Sequence, residues 1–171
     1  MTGPDIENCL QSMIILVDTR EQPSERAQKR YKAFERPYRR QKLDFGDYSA
    51  EFTLPDGQIA TVNAAIERKM NLEELSSCLT TDRDRFRREF ERAQAAGASI
   101  YLLVENATWE NLINGKYKTR FNKKAFLGSI TAWIARYNIK PIFCKAETSG
   151  QLIREILYRE VKKRLEAGDY G

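Results

Sequence analysis

Gly46-Asp47-Tyr48 and, twenty residues later, Ile66-Glu67-Arg68-Lys69 decide how this chain is read. On an extended strand, residues two apart face the same way, so Glu67 and Lys69 share a face and Arg68 takes the other. With Asp47 on the paired strand, two carboxylates and one ammonium group converge. Such a set suits a hard, oxygen-seeking cation, beside which the lysine orients or deprotonates a water or steadies a phosphate. Pro55-Asp56-Gly57 between the two stretches is a turn. With Asp56-Gly57 as its two loop residues, Asp47 faces Ile66. A one-residue adjustment, for example a bulge at Gly46, brings it opposite Glu67.

Outward from this hairpin, Met13-Ile14-Ile15-Leu16-Val17 is a continuous apolar run ended by Asp18, the pattern of a buried strand opening at a site. Pro23-Ser24 starts a helix running to about Phe34, and Pro37 marks its end. Residues 38–52 read as a strand interrupted near Gly46, and 59–69 as its return. Asn71 caps a helix with Glu73 and Glu74 in its first turn; it breaks near Thr80-Thr81, continues through Ala95 and stops at Gly97. Ser99 to Val104 is a second buried strand. A polar connection over 105–121 holds a short helix at Thr108–Ile113. Asn122 caps a helix with Phe126, Ile130, Trp133, Ile134 and Tyr137 on one stripe. A third strand spans Pro141–Cys144, and Ser149–Glu166 is helical. Helices alternating with buried strands after a hairpin imply an α/β three-layer sandwich. Its mixed central sheet carries the candidate site on the hairpin and helices on both faces. The expected organisation is a flexible segment over 1–12 and one domain over 13–168.

The 171 residues, 42% hydrophobic, suffice for one core. The net charge of +5 leans toward a polyanionic partner. Its distribution is uneven: nine Arg or Lys against three Glu lie between Arg20 and Lys42. The chain has no histidine, which excludes His-metal nucleases, His-based triads and zinc deaminases. Its three cysteines, Cys9, Cys78 and Cys144, are odd in number and form no C-x-x-C, which argues for a reducing compartment and against a disulfide frame. Neither a membrane-length apolar run nor a signal-peptide pattern is present, so a cytoplasmic, soluble protein is expected.

The order Val17-Asp18-x-Arg20-Glu21, Gly46-Asp47-Tyr48, Ile66-Glu67-Arg68-Lys69 resembles the nuclease domain of the XPF-type structure-specific endonucleases, within the PD-(D/E)xK, restriction-endonuclease-like superfamily. Asp84-Arg85-Phe86 leading to Arg92 is similar to that family's Gly-Arg-Phe stretch, with Asp84 in place of glycine. The likeness runs from about Ile14 to Leu165. It implies a metal-dependent endonuclease that cuts branched DNA (flap, fork or Holliday-like) in repair or recombination. It also implies Asp47 and Glu67 as the main Mg²⁺ or Mn²⁺ ligands and Lys69 as the group that positions water or stabilises phosphate. Asp18 and Glu21 would add outer ligands, and Arg20, Arg68 and Arg85 would support the site or clamp phosphate. Strand alternation puts Arg68 opposite Lys69, where it can instead tie the hairpin to a neighbouring helix. Two departures stand out. The acid expected after Glu-Arg-Lys comes one residue late, at Glu73-Glu74. No tandem helix-hairpin-helix module follows, so a stand-alone nuclease or one working with another subunit is expected. The rival reading is a non-catalytic DNA-binding module of this fold partnering an active subunit.

Three basic regions are candidates for DNA. Arg39, Arg40 and Lys42 either line the approach or protect an edge strand. Lys116, Lys118, Arg120, Lys123 and Lys124 surround Tyr117 and Phe121, a pattern that can track phosphates while a ring stacks on an unpaired base; an ordinary exposed loop reads equally well. The arginines at 83, 85, 87, 88 and 92 alternate with acids and read as a solvated helix face, Arg85 excepted. The helices beginning at Asn122 and Ser149 are the expected surface for a homodimer or a heteromeric partner.

Overall fold

The computed structural model describes residues 1–169. The elements in chain order are α1 (Gly3–Gln11), β1 (Ile14–Val17), α2 (Glu25–Lys32), β2 (Tyr38–Arg40), β3 (Tyr48–Thr53), β4 (Ile59–Thr61) and β5 (Ala64–Lys69). They continue with α3 (Leu72–Leu79), α4 (Arg83–Ala95), β6 (Ser99–Glu105), α5 (Trp109–Ile113), α6 (Lys123–Tyr137), β7 (Lys140–Cys144) and α7 (Ala146–Ala167). The sheet order is β2-β1-β3-β5-β6-β7, with β4 paired to β3. β1 runs parallel to β2, β3 is antiparallel to its neighbours, and β5, β6 and β7 are parallel to one another. The expected mixed sheet between two helical layers is present.

Strand alternation divides the apolar residues between two cores. Ile15, Val17, Tyr48, Ala50, Ala64, Ile66 and Leu103 pack with α1, α2 and α7 on one face. Ile100, Leu102 and Val104 pack with α3, α4 and α6 on the other. The second core is rich in rings: Phe86 stacks on Trp133 at 5.4 Å, and Phe90 meets Tyr137 at 6.0 Å. The stripe read on α6 is buried as expected at Phe126, Ile130, Trp133 and Tyr137.

Residues 1–12, expected to be flexible, instead contain α1. Thr2 and Asp5 form a capping box, a proline opens the helix, and Cys9 and Leu10 are 1% exposed. Polar composition hid this helix, because only Ile6, Cys9 and Leu10 of its nine residues meet the core. Similarly, the break suspected near Thr80-Thr81 fully separates α3 from α4.

The hairpin register differs from the simplest expectation. Thr53 pairs with Ile59, so the loop holds Pro55, Asp56 and Gly57 between the Leu54–Gln58 pair. Gly57 takes a positive φ of 85°, which glycine adopts without strain. This register alone would misplace Asp47 relative to Glu67. Two extra residues around Asn63 correct it: Phe52 pairs with Ala60, yet Tyr48 pairs with Ile66. The Ser49 hydroxyl fills the irregularity by donating to the Ala64 carbonyl at 2.8 Å, and the Arg164 guanidinium donates to the Asn63 carbonyl at 2.6 Å. Extra residues thus lie between β4 and β5, and beside Gly46 both Asp47 and Tyr48 meet Ile66, the irregularity expected there.

Candidate active site

Asp47 lies one residue before the Tyr48–Ile66 pair, and its backbone N–H donates to the Ile66 carbonyl at 2.8 Å, next to Glu67 in the chain. This close pairing depends on Gly46. Its φ is 74°, and a Cβ there would meet the Ala65 Cβ at 2.8 Å and the Ile66 carbonyl oxygen at 3.3 Å. Tyr48, Ile66 and Arg68 face α2 and α7, so alternation turns Asp47, Glu67 and Lys69 toward α3 and α4.

There the Lys69 Nζ donates to Glu67 Oε1 at 2.6 Å and lies 5.0 Å from the Phe86 ring centroid. The Asp47 Oδ2 accepts the Arg68 backbone N–H at 2.7 Å. Glu67 is 4% exposed, and its Oε2 is buried without a hydrogen-bond partner. Burial raises the Asp47 carboxyl well above its ordinary range, nearby Glu67 raises it further, and Lys69 offsets part of this. Burial likewise raises Glu67, with Lys69 opposing and Glu89 adding. Burial alone would lower the Lys69 amine, but Glu67 above all holds it well above its usual range. Lys69 is therefore a fixed ammonium group in this arrangement, suited to stabilising negative charge rather than to taking a proton.

A cleft of about 610 Å³ opens over this cluster. Asp47, Glu67 and Lys69 line it together with Arg20 and, from α4, Arg85, Arg88, Glu89 and Arg92. Arg85, Arg88 and Arg92 are spaced so that one helix stripe faces the cleft. The solvated-face pattern holds for the rest of α4, where Arg87 pairs with Glu91 at 3.3 Å. The sequence reading missed Arg88, Arg92 and Glu89. Their spacing from Arg85, i+3 for Arg88, i+4 for Glu89 and i+7 for Arg92, was the available signal. Glu89 ties α4 to the site by accepting the Gly46 backbone N–H at 2.9 Å. Of the two late acids, Glu74 lines the cleft, whereas Glu73 accepts the Lys118 backbone N–H at 2.9 Å.

Asp18 is fully buried and committed elsewhere. Its Oδ1 accepts from the Arg20 Nε at 2.6 Å and the Arg20 backbone N–H at 2.8 Å, and its Oδ2 accepts the Leu43 N–H at 2.7 Å. Burial pushes the Asp18 carboxyl up, but the Arg20 side chain and these amides bring it net below its usual value. Glu21 and Arg68 join a different group on the far face of β5. Arg30 donates to Glu21 at 2.7 Å and to the Tyr48 hydroxyl at 2.8 Å. Arg68 donates to Glu105 at 3.2 Å and Glu21 at 3.4 Å. Two guanidinium groups and two carboxylates so anchor the backs of both hairpin arms. Among the described residues, no group of three or more Asp, Glu, Cys or His side chains is arranged to hold a metal.

The remaining basic candidates lie farther out. Arg39 reaches Glu51 at 2.6 Å on the β2 edge, Arg40 caps the Thr19 and Glu21 carbonyls at 2.9 and 2.8 Å, and Lys42 is exposed. Lys116, Lys118, Arg120, Lys123 and Lys124 are all exposed. The rings among them turn inward: Phe121 and Tyr117 pack on Phe126 at 5.1 and 5.2 Å. Stacking on a base is thus not what these two rings are placed to do.

The residues present fit a divalent cation. A buried and a half-buried carboxylate with one lysine leave an excess negative charge, and the Glu67 Oε2 has no donor. Magnesium needs few protein ligands, since waters and substrate phosphate complete its shell. Asp47 and Glu67 are the side chains that would hold it.

A seven-stranded mixed sheet with helices on both faces, carrying two carboxylates and a lysine on one hairpin, defines an XPF nuclease-like α/β protein. Residues 17–156 match the ERCC4 domain model, and the chain belongs to that family. Among solved structures it is similar to XPF from Aeropyrum pernix, with a TM-score of 0.63 and 15% identity over 91% of this chain and 69% of that one. The same protein in complex with DNA matches with a TM-score of 0.62 and 18% identity, over 88% of this chain and 65% of that one. No curated protein matches the chain. Among the described residues, no helix is long and apolar enough to cross a membrane.

Proposed function

We propose that this protein is a Mg²⁺- or Mn²⁺-dependent endodeoxyribonuclease that hydrolyses phosphodiesters in branched or junction-containing DNA during repair or recombination. One observation carries the reading: half-buried Asp47 and buried Glu67 line one cleft beside Lys69, with an oxygen of Glu67 left unpartnered. Such a cluster is costly without a cation and well matched to one. Family membership and the DNA complex of the Aeropyrum pernix protein support a DNA substrate.

A bound divalent cation supplies a lowered water pKa and polarises the phosphoryl oxygen. Lys69, fixed by Glu67 and backed by Phe86, stabilises charge gathering on the phosphate. Arg20, Arg85, Arg88 and Arg92 at the rim hold the flanking backbone. Asp18 positions Arg20, and Glu21 with Arg68 stiffens the hairpin from behind; neither carboxylate joins the cation shell in this proposal. Arg40, Lys42 and the Lys116–Lys124 segment extend the positive surface. A second copy or another subunit is proposed to meet α6, α7 and the outer edge of β7, where Leu127, Ile134 and Ile142 remain half-buried. The protein acts on cellular DNA in the cytoplasm or nucleoid.

The test is cleavage of labelled flap, fork and Holliday-junction DNAs by Asp47→Ala and Glu67→Ala with Mg²⁺ or Mn²⁺. Both variants are expected to be inactive while still binding DNA. Full activity in either overturns the assignment.

A further inference from the structure

A second cavity, of about 450 Å³, lies on the other side of Arg68 from the cleft. The two share Ser24 and Arg68 as lining residues, so these two residues lie between them. The cavity sits where the parallel strands β5 and β6 end, the edge of an α/β sheet where ligands bind. Met70, Ala33, Ala146 and Gly150 give it apolar walls. Gly150 is held tightly, since a Cβ there would meet the Arg30 carbonyl oxygen at 2.5 Å. Two of its lining residues carry buried atoms without hydrogen bonds, the acceptor Glu105 Oε1 and the donor Arg68 Nε. Glu105 is 3% exposed; its Oε1 comes only within 3.5 Å of an Arg30 nitrogen. Two exposed cations, Arg26 and Lys29, stand at the mouth, and the Arg26 guanidinium reaches across to within 3.6 Å of the Met70 sulfur.

We infer that this cavity is a slot for one unpaired nucleobase of the substrate strand, next to the phosphate held in the cleft. The inference rests on the nuclease reading above and adds how single-stranded character would be sensed. Flat apolar walls and guanidinium faces accept an aromatic ring. The Watson–Crick edge of each base carries donors beside acceptors, and Glu105 and Arg68 in the lining offer groups of both kinds. Cations at the mouth suit the adjoining phosphate. The volume is that of a small-ligand site, large enough for a base and too small for duplex. A base inside a duplex cannot enter, so occupancy would favour unpaired nucleotides at a junction without reading their sequence.

The experiment is a scan of forked DNA in which one abasic analogue is moved through the unpaired strand. Binding is followed by fluorescence anisotropy without divalent metal, and cleavage with Mn²⁺. One position should lose about tenfold in affinity, the scale of a single stacked base. Ala146→Trp, at an exposed helix start, should fill the slot and abolish that dip while keeping the melting temperature. If that variant does not fold, 2-aminopurine at the sensitive position replaces it: its emission should change on binding to the wild-type protein. A flat scan by a protein that binds and cuts overturns the slot and leaves the nuclease reading intact. A clear dip in binding with no cleavage under any metal supports the slot and overturns the nuclease reading. No binding to any DNA overturns both.

Discussion

The two faces of β5 handle charge in opposite ways. Toward α2 and α7, Arg68 and Arg30 meet Glu21 and Glu105, two cations for two anions, with Tyr48 bonded in at 2.8 Å. Toward α3 and α4, Asp47 and Glu67 share one lysine, and an oxygen of Glu67 goes without a donor. Both groups are largely buried and sit on the same few residues of backbone. The matched face holds the hairpin arms in place, and the mismatched face is what they are held in place to present. Buried charge is tolerated when paired and is costly when it is not, so the mismatch marks a site that expects a ligand.

The sharpest way to break this comparison is to neutralise one carboxylate on the mismatched face. Asp47→Asn keeps an oxygen for the Arg68 N–H and removes the repulsion with Glu67. Cleavage should fall at least about a thousandfold, because a cation's electrostatic contribution is worth several kcal/mol. The metal-free melting temperature should stay level or rise, and Mn²⁺ should no longer raise it. A clear loss of metal-free stability would show that Asp47 belongs to the scaffold.

Cutting the matched face should do the reverse. Arg30→Met leaves Glu21 and Glu105 with fewer partners in burial and takes a donor from Tyr48. Unfolding by urea should show a loss of about 3–5 kcal/mol, the usual result of halving a buried ion network. Adding Glu21→Gln should recover part of it, which a double-mutant cycle would measure. A loss below about 1 kcal/mol would mean the network is not what fixes the arms.

Gly46 links the two faces, since the close approach it allows sets Asp47 against β5. Gly46→Ala should cost about 1–3 kcal/mol, through both the positive φ and the clash with Ala65. Circular dichroism melting together with cleavage assays should show activity falling by more than stability alone explains.

Much of this was legible in the residues. The order of buried strands and amphipathic helices foretold the layers, and strand alternation separated Arg68 from Lys69. The register was less accessible. Asp47 reaches Ile66, beside Glu67, through a three-residue loop and extra residues near Asn63, which are held by distant Ser49 and Arg164. Tertiary partners of that kind leave no local pattern. Asp18 shows the same limit. The family resemblance implied an outer ligand, but the Asp18 oxygens are taken by Leu43 and Arg20 through the fold of a loop. The α1 helix was hidden for a simpler reason, having few apolar residues, Ile6, Cys9 and Leu10, to show a pattern.

The smallest effects should come from single surface cations, and they sharpen the comparison by asking how far the cleft extends. Arg88 lines the cleft and makes no ion pair among the described residues, so its charge is available to a phosphate. Arg39 is already held by Glu51 at 2.6 Å on the β2 edge. Removing one cation that neutralises a phosphate should reduce the slope of log affinity against log salt by about 0.9. Arg88→Ala should show that reduction, Arg39→Ala should show almost none, and Lys118→Ala should fall between them if the loop docked on α3 touches the backbone. Anisotropy titrations at several salt concentrations measure all three. Equal slopes for Arg88→Ala and Arg39→Ala would mean that DNA approaches along the β2 edge as much as through the cleft, and that the site's boundary lies beyond α4.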